Sequence, residues 1–568
     1  MTRARSVVST VAFVAIAAVV SVVTGDAPSL RAQQGATGAL TGTVRSQEEG
    51  PMEGVLVRAR RTGSNKTVTV VTDAKGSYTF PRERLEPGRY DVSIRAIKFV
   101  LPQPATADVT AGAPVRLDLS LKAANVLELA HQLTDPEWLA SYPLDEETKY
   151  TAFRDCSRCH TMLRASMSTY TAEQLSWVMK RMVYSAGSTP MTFQLPNEPQ
   201  TKTWGRADWG EPTATHVAQA RAVAAINLSR GMWNYELKTL PRPRGKETQV
   251  VYTTWDLPVT ARPHDTRTGK DGLIYFNHFN DNAIGRLDPR TGETKEWRWP
   301  YRAAEGSFAP TGARTLMGPD AKGRFYIGNQ AQGGLVIFDP STEKFRFENP
   351  PGAGEMMDVS ASHVDGYGWR VGGGAAYRIH LDTFEATPVK GPRPLNAYDI
   401  AADSQNNLYG SARNGPYVWK VDAKTMQVTY FDIPAQPRGE GGRGTGMRRG
   451  ITDAQNRLWW GGYDGNFVGM LDPRAPAGRQ MTLYPMPPWF FPYDAHHDDV
   501  RYTWTGGIYA DRVARLNVET GEWNYYLLPY EANIRDIDLA RPRAGGLSGL
   551  WLGHNHQGRI TLVEPLAP

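Results

Sequence analysis

Cysteine is nearly absent from this chain: only Cys156 and Cys159 occur in 568 residues. That scarcity excludes a disulfide-stapled scaffold and a zinc centre built from two cysteine pairs. Long apolar runs are missing after the first two dozen residues, which argues against membrane-spanning helices in the body of the protein. Dense lysine–arginine blocks are missing as well, and the formal net charge is +6, so nucleic acid is not an expected partner. No GxGxxG opens a strand–helix–strand unit, which removes the usual dinucleotide signature. What is plentiful points toward strands. Gly 55 and Pro 40, with Tyr 25 and Trp 16, suit many short strands joined by turns.

Only the N-terminus is strongly apolar. Arg3 and Arg5 precede an uncharged stretch, residues 7–23, followed by small and polar residues, which is the layout of an export signal. We place the signal at residues 1–32. It carries three arginines and one aspartate, so its removal lowers the net charge from +6 to +4. The mature protein is expected to be periplasmic or secreted, with no membrane span after cleavage.

The two cysteines stand in Cys156-Ser157-Arg158-Cys159-His160, the C-x-x-C-H attachment signature of a c-type haem. Both thiols add to the haem vinyl groups, and His160 supplies the proximal nitrogen. A redox cysteine pair needs no histidine at that position, and a simple disulfide across two residues would close a small, weakly stabilising loop. Haem c and export imply the same compartment. A methionine suits the sixth iron position because a thioether raises the potential. Met182 is the first candidate and Met191 the alternative, with an open or histidine-ligated iron as the remaining choice.

Three regions follow the signal. Residues 37–122 alternate in short runs broken by turn clusters such as Asp73-Ala74-Lys75-Gly76. The motifs Thr72-Asp73-x-x-Gly76-x-Tyr78-x-Phe80 and Pro87-Gly88-x-Tyr90-x-Val92 resemble the carboxypeptidase regulatory-like (transthyretin-like) family. That resemblance implies an accessory β-sandwich, associated with adhesion or carbohydrate contact and carrying no chemistry. Residues 123–245 change to a helical period, with helices expected near 126–133, 156–166, 171–183 and 213–228. Thr171-Ala172-Glu173-Gln174 is a capped start. The haem motif, Trp177-Val178-Met179-Lys180-Arg181-Met182 and Ala224-Ala225-Ile226-Asn227-Leu228 resemble small mono-haem cytochrome c domains.

Residues 249–568 repeat at about 44 residues, which suggests about seven units and hence a seven-bladed propeller. The clearest copy runs Asp271-Gly272-Leu273-Ile274-Tyr275-Phe276, then Ile284-Gly285-Arg286-Leu287-Asp288-Pro289, then Thr291-Gly292-Glu293. The strand near residues 250–257 is expected to close the ring against the last unit. The repeat resembles the streptogramin B (virginiamycin B) lyase propellers, in which a divalent metal held by glutamates and a histidine base opens a lactone. The matching strand ends here read Asn277-His278, Gly328-Asn329, Ala412-Arg413 and Gly462-Tyr463, without the acidic ligands.

The fold expected is therefore mainly β: an N-terminal sandwich, a small helical cytochrome domain and a C-terminal propeller. The repeat places His264, Arg314, Tyr398, Asp399, Arg449, Tyr493 and Asp494 where chains enter the inner strands. It places His278, Arg413, Tyr463, Asp464, His554 and His556 near strand ends. His264, His278 and His556 are candidates for catalysis or a divalent metal, while Arg314, Tyr398, Arg413, Arg449 and Tyr463 are candidates for an anionic or carbohydrate ligand. The same side chains, satisfying one another as scaffold, are the structural alternative. Arg438, Arg443, Arg448 and Arg449 stand among glycines, a local anion-binding feature. His496-His497-Asp498-Asp499 reads as an exposed turn. The function expected is electron transfer in or for a periplasmic oxidoreductase, with a protein or small molecule as donor. The alternatives are a metal-dependent lyase of a cyclic ester and a non-catalytic carbohydrate- or partner-binding protein.

Overall fold

A computed structural model describes residues 38–153, 160–186, 211–258, 261–279, 281–300, 313, 315–329, 334–352, 356–412, 415–435, 446–540, 546–555 and 557–568. The chain is mainly β. In the N-terminal region, Leu40–Ser46 alternates buried and partly exposed residues, as a strand with one covered face must. It pairs antiparallel with Ser77–Phe80 and parallel with Leu119–Ala123. Opposite it lie Leu56–Arg61, Lys66–Val71, Gly88–Arg95 and Ala105–Val109. Leu40, Val44, Val57, Val68, Tyr78, Phe80 and Val92 fill the space between the two layers. This is the sandwich-like unit expected.

From Pro263 to Leu527 the chain lays down six four-stranded antiparallel sheets, each in simple sequence order. Apolar cores fill the gaps between successive sheets. Trp369 and Trp419 share one, Trp460 and Tyr409 the next, and Trp459 with Phe490 a third. The last strands, Ile537–Ala540, Gly549–His554 and Arg559–Pro565, continue the series, and Trp551 and Trp255 pack against Phe276 of the first sheet. The arrangement is propeller-like, with the first strand of each sheet innermost.

Val250–Asp256 closes the last group by pairing antiparallel with Arg559–Pro565, as expected. Its other edge was not foreseen: it pairs antiparallel with Lys66–Val71 of the sandwich. One eight-stranded sheet therefore runs from Ala105–Val109 to Ile537–Ala540. Both edges of Val250–Asp256 are occupied, and its residues from Val250 to Trp255 are all buried.

The helical region departs from expectation in detail. Val126–Ala130, Ala172–Ala186 and Ala214–Ala224 fall where the periodicity placed them. Thr171 and Gln174 cap each other, Thr171 N donating to Gln174 Oε1 at 2.9 Å and Gln174 N to Thr171 Oγ1 at 3.3 Å. Two helices, Asp135–Ser141 and Glu146–Phe153, lacked a sequence signal because they are short and bury polar residues such as Glu137 and Lys149. The helix expected over residues 156–166 is only Met162–Ser166 here, since His160 lies in a bend and residues 154–159 are outside the described set. Among the described residues no helix is long and apolar enough to cross a membrane.

Candidate functional site

The helical region packs its core directly onto the propeller-like array. Trp138, Tyr142, Phe153, Met162, Leu175 and Val223 share one apolar cluster with Tyr463, Trp489, Phe491, Tyr493 and Ile508. Two of these contacts are held in an unusual backbone. Trp489 (φ 63°) and Phe491 (φ 52°) adopt the left-handed region, which costs a bulky residue about 1–2 kcal/mol. Asn466 holds this turn: its Oδ1 accepts from Phe491 N at 2.9 Å and its Nδ2 donates to Pro487 O at 2.8 Å. The turn presents Trp489 and Phe491 to the helices.

Within the helices, His160 Nδ1 lies 2.9 Å from the Thr161 carbonyl. That contact selects the Nδ1–H tautomer and leaves the lone pair on Nε2, the arrangement a metal-ligating histidine requires. Part of its surface reaches solvent, yet burial among its neighbours pushes its pKa down to about 4, so the ring is neutral. A neutral imidazole is the form in which histidine ligates a haem iron. The apolar Met162, Leu175, Met179 and Val223 suit a macrocycle. Cys156, Cys159 and Met191 lie outside the described residues, as does the side chain of Met182 on Ala172–Ala186.

Beneath the helices, the first strands of the sheets form two layers along an axis. In the lower layer, five aspartates each accept a backbone N–H from the first strand of the next sheet. Asp265 accepts from Leu316 at 2.7 Å, Asp358 from Ala402 at 2.8 Å, Asp399 from Gly450 at 3.2 Å, Asp494 from Ile537 at 3.3 Å and Asp536 from Thr266 at 3.3 Å. These carboxylates stitch neighbouring inner strands together. Arg449 bridges two of them, with Nη1 at 3.0 Å from Asp265 and 2.8 Å from Asp536. Arg267 also donates to Asp536, Nη2 to Oδ1 at 2.8 Å. Burial pushes the Asp399 carboxyl up to about 7, Arg449 opposing the shift and Asp494 adding to it.

The residues just before these form the upper layer: His264, Tyr398, Arg448, Tyr493 and Arg535. Arg448 is 2% exposed, and its guanidinium lies 4.4 Å from the Tyr398 ring centre, 4.8 Å from Tyr463 and 4.9 Å from Tyr493. The Tyr398 and Tyr493 hydroxyls are 2.6 Å apart. Burial alone would raise the Tyr493 phenol, but Arg448, Arg535 and Arg449 outweigh it and bring it down to about 8. Tyr398 is 37% exposed and links this layer to solvent. At the other end of the axis a cavity of about 610 Å³ is lined by Asp358, Asp399, Asp494, His496 and Asp536.

The candidates meet this geometry unevenly. Tyr398, Arg449, Tyr463, Tyr493 and Asp494 do converge on the axis. His264 hydrogen-bonds Asp265 and stacks on Phe279 at 4.5 Å, whereas His278 lies on a strand end 3.2 Å from Glu296, off the hydrogen-bond direction. The two histidines share no donor set. Arg314, Arg413 and His556 are outside the described residues. Among those described, no three histidine, cysteine or acidic side chains form a metal-sized group. The exposed turn expected at residues 496–499 is corrected in its first half. His496 and His497 are buried at the end of Pro492–His497, the first toward Asp494 at 3.2 Å and the second stacked on Trp459 at 4.9 Å. Arg448, Arg535, Asp265, Asp358 and Asp536 were missed as axial residues. For the last four the signal was the recurring x-Asp pair, His264-Asp265, Met357-Asp358, Tyr398-Asp399, Tyr493-Asp494 and Arg535-Asp536.

Residues 39–122 match the carboxypeptidase regulatory-like domain family. No curated protein matches the chain. Among solved structures, virginiamycin B lyase from Staphylococcus aureus aligns with 56% of this chain and 99% of its own, at TM-score 0.46 and 15% identity. A streptogramin B lyase aligns with 56% and 99%, at TM-score 0.45 and 15% identity. Hydrazine synthase from Kuenenia stuttgartiensis aligns with 54% and 97%, at TM-score 0.42 and 10% identity. The sheet order and inter-sheet cores of this chain carry the propeller-like description by themselves.

Proposed function

We propose that this chain is an exported mono-haem c-type cytochrome joined to a seven-bladed propeller, and that its role is electron transfer between a donor at the covered propeller mouth and a haem in the helical region. The blade count is our reading of six four-stranded sheets plus the last three strands completed by Val250–Asp256. One observation carries the functional reading. The region that contains Cys156-x-x-Cys159-His160 shares its core with Tyr463 and Tyr493, the same tyrosines that surround Arg448. A haem held there would supply a one-electron carrier close to the mouth. Cys156 and Cys159 would anchor it, His160 Nε2 would ligate the iron, and Met182 or Met191 would take the sixth position. The buried tyrosines and aromatic turn would keep water from that interface.

The test uses the purified, exported full chain. Small reductants and isolated donor proteins are mixed separately with the oxidised protein, and haem absorption is followed. Reduction by a small molecule indicates an oxidoreductase, and reduction only by a protein indicates a carrier. Inertness toward both contradicts the proposal.

His264 favours a second reading, metal-assisted opening of a cyclic ester. Its ring is fixed by Asp265 and Phe279, as an oriented base would be. Against it, the axial carboxylates already hold backbone N–H groups and arginines. Incubation with a cyclic depsipeptide and magnesium, followed by mass measurement of ring-opened product, decides it.

A further inference from the structure

We propose that Arg448 anchors a binding site for a small organic monocarboxylate at the mouth beneath the helices. The proposal rests on reading that mouth as the ligand site and does not depend on the haem. Arg448 is a buried cation without a contact ion pair among the described residues, Asp464 acting on it from farther off. It is 2% exposed, its Nε has no hydrogen-bond partner, and no described carboxylate lies within ion-pair distance. Arg449, its neighbour in sequence, meets two carboxylates on the opposite side of the same strand entrance. A guanidinium removed from water without a counterion is costly, and the planar fork of arginine matches a carboxylate.

The surroundings narrow the ligand further. Three tyrosine rings wall the guanidinium, which suits a small organic group better than a hydrated inorganic ion. Of the Tyr398 and Tyr493 hydroxyls, one donates to the other, so the second proton is left to donate to an anion. Tyr398, which shares that hydrogen bond, is exposed to solvent. Asp464, whose charge acts on Arg448, opposes a dianion and leaves a single negative charge as the best match.

An internal competitor among the described residues is the Tyr493 phenolate, and Asp399, the residue next to Tyr398, ionises near 7 in the same range. An anion on Arg448 and an ionised Tyr493 oppose each other, so binding should weaken as the phenol titrates. Isothermal titration of the full chain with acetate, lactate and benzoate tests this. Saturable binding of at least one is expected near pH ~6.5, about tenfold weaker near pH ~9. Arg448→Gln should abolish it while circular dichroism stays unchanged, and Arg448→Lys should weaken it by losing the fork. If Arg448→Gln does not fold, Tyr398→Phe gives the second reading, with weakened binding expected from the lost hydroxyl. Saturable binding by none of the three probes overturns the proposal, as does binding that folded Arg448→Gln retains. Either failure leaves covalent haem attachment intact and is thereby separated from failure of the electron-transfer reading.

Discussion

Arg448 and Arg449 show how one step along the chain separates two kinds of arginine. Arg449 bridges Asp265 and Asp536, so its loss leaves buried Asp265 without its arginine and Asp536 with Arg267 alone. Arg449→Ala is expected to cost about 3–5 kcal/mol, read from urea denaturation; a loss under about 1 kcal/mol would show that the bridge is not structural. Tyr493 carries a pH signature. Its folded pKa, about 8, lies below the ordinary phenol value near 10, so the unfolded chain binds more protons between those values. The resulting stabilisation is complete above about pH 10 and is lost as pH falls through about 8. A tyrosinate absorbance titration should show one ionisation near pH 8 that Tyr493→Phe removes. Its persistence in the variant would place the low-pKa phenol elsewhere. Few of these relations were legible in sequence. The position of Tyr398, Arg449 and Tyr493 at strand entrances follows from the repeat, but which neighbour of each x-Asp pair faces which layer depends on strand register.

Single strands and turns explain how the axis keeps its shape. Asp358 accepts from Ala402 N through Oδ2 and from Ser360 N through Oδ1, each at 2.8 Å. Asp358→Ala should cost about 1–3 kcal/mol, because two N–H groups lose their acceptor. Cross-strand glycines do the opposite job, making room. A Cβ on Gly469 would overlap the Trp460 ring, and one on Gly285 would overlap the Phe276 ring. Gly469→Ala is expected to lower the denaturation midpoint, with a cost of about 1–3 kcal/mol, and an unchanged midpoint would mean that the tryptophan repacks freely. The repeat made these strands legible, since Trp459-Trp460-Gly461 and Val468-Gly469-Met470 hold the places that Tyr275-Phe276-Asn277 and Ile284-Gly285-Arg286 hold in the clearest copy. The left-handed turn at Trp489 and Phe491 was not legible. Nothing local favours φ > 0 for those residues, and the side chain of Asn466, distant in sequence, holds them there.

At the scale of the whole molecule, Val250–Asp256 couples parts that sequence reading had kept apart. Closure of the last group by the strand near residues 250–257 was expected from the sequence, whereas its pairing with Lys66–Val71 was not, because a strand buried on both edges has the same composition as one buried on one. Arg58 Nη1 donating to Pro529 O at 3.1 Å and Arg95 Nη2 to Asp511 Oδ2 at 2.7 Å add to this junction. The sandwich and the last sheet should therefore unfold together. Calorimetry of the full chain is expected to give no separate transition for residues 38–122, and an independent low-temperature transition would show that the shared sheet does not couple them. The helices meet the propeller through an apolar core that includes Trp489, Phe491 and Tyr493, and the functional reading depends on what they hold. The most direct measurement is covalent haem in the exported full chain after denaturation, made in a host that matures c-type cytochromes. The denatured band should stain for haem peroxidase activity in the native sequence and not after Cys156→Ala with Cys159→Ala. An unstained native band, or staining that survives loss of both cysteines, would contradict the account.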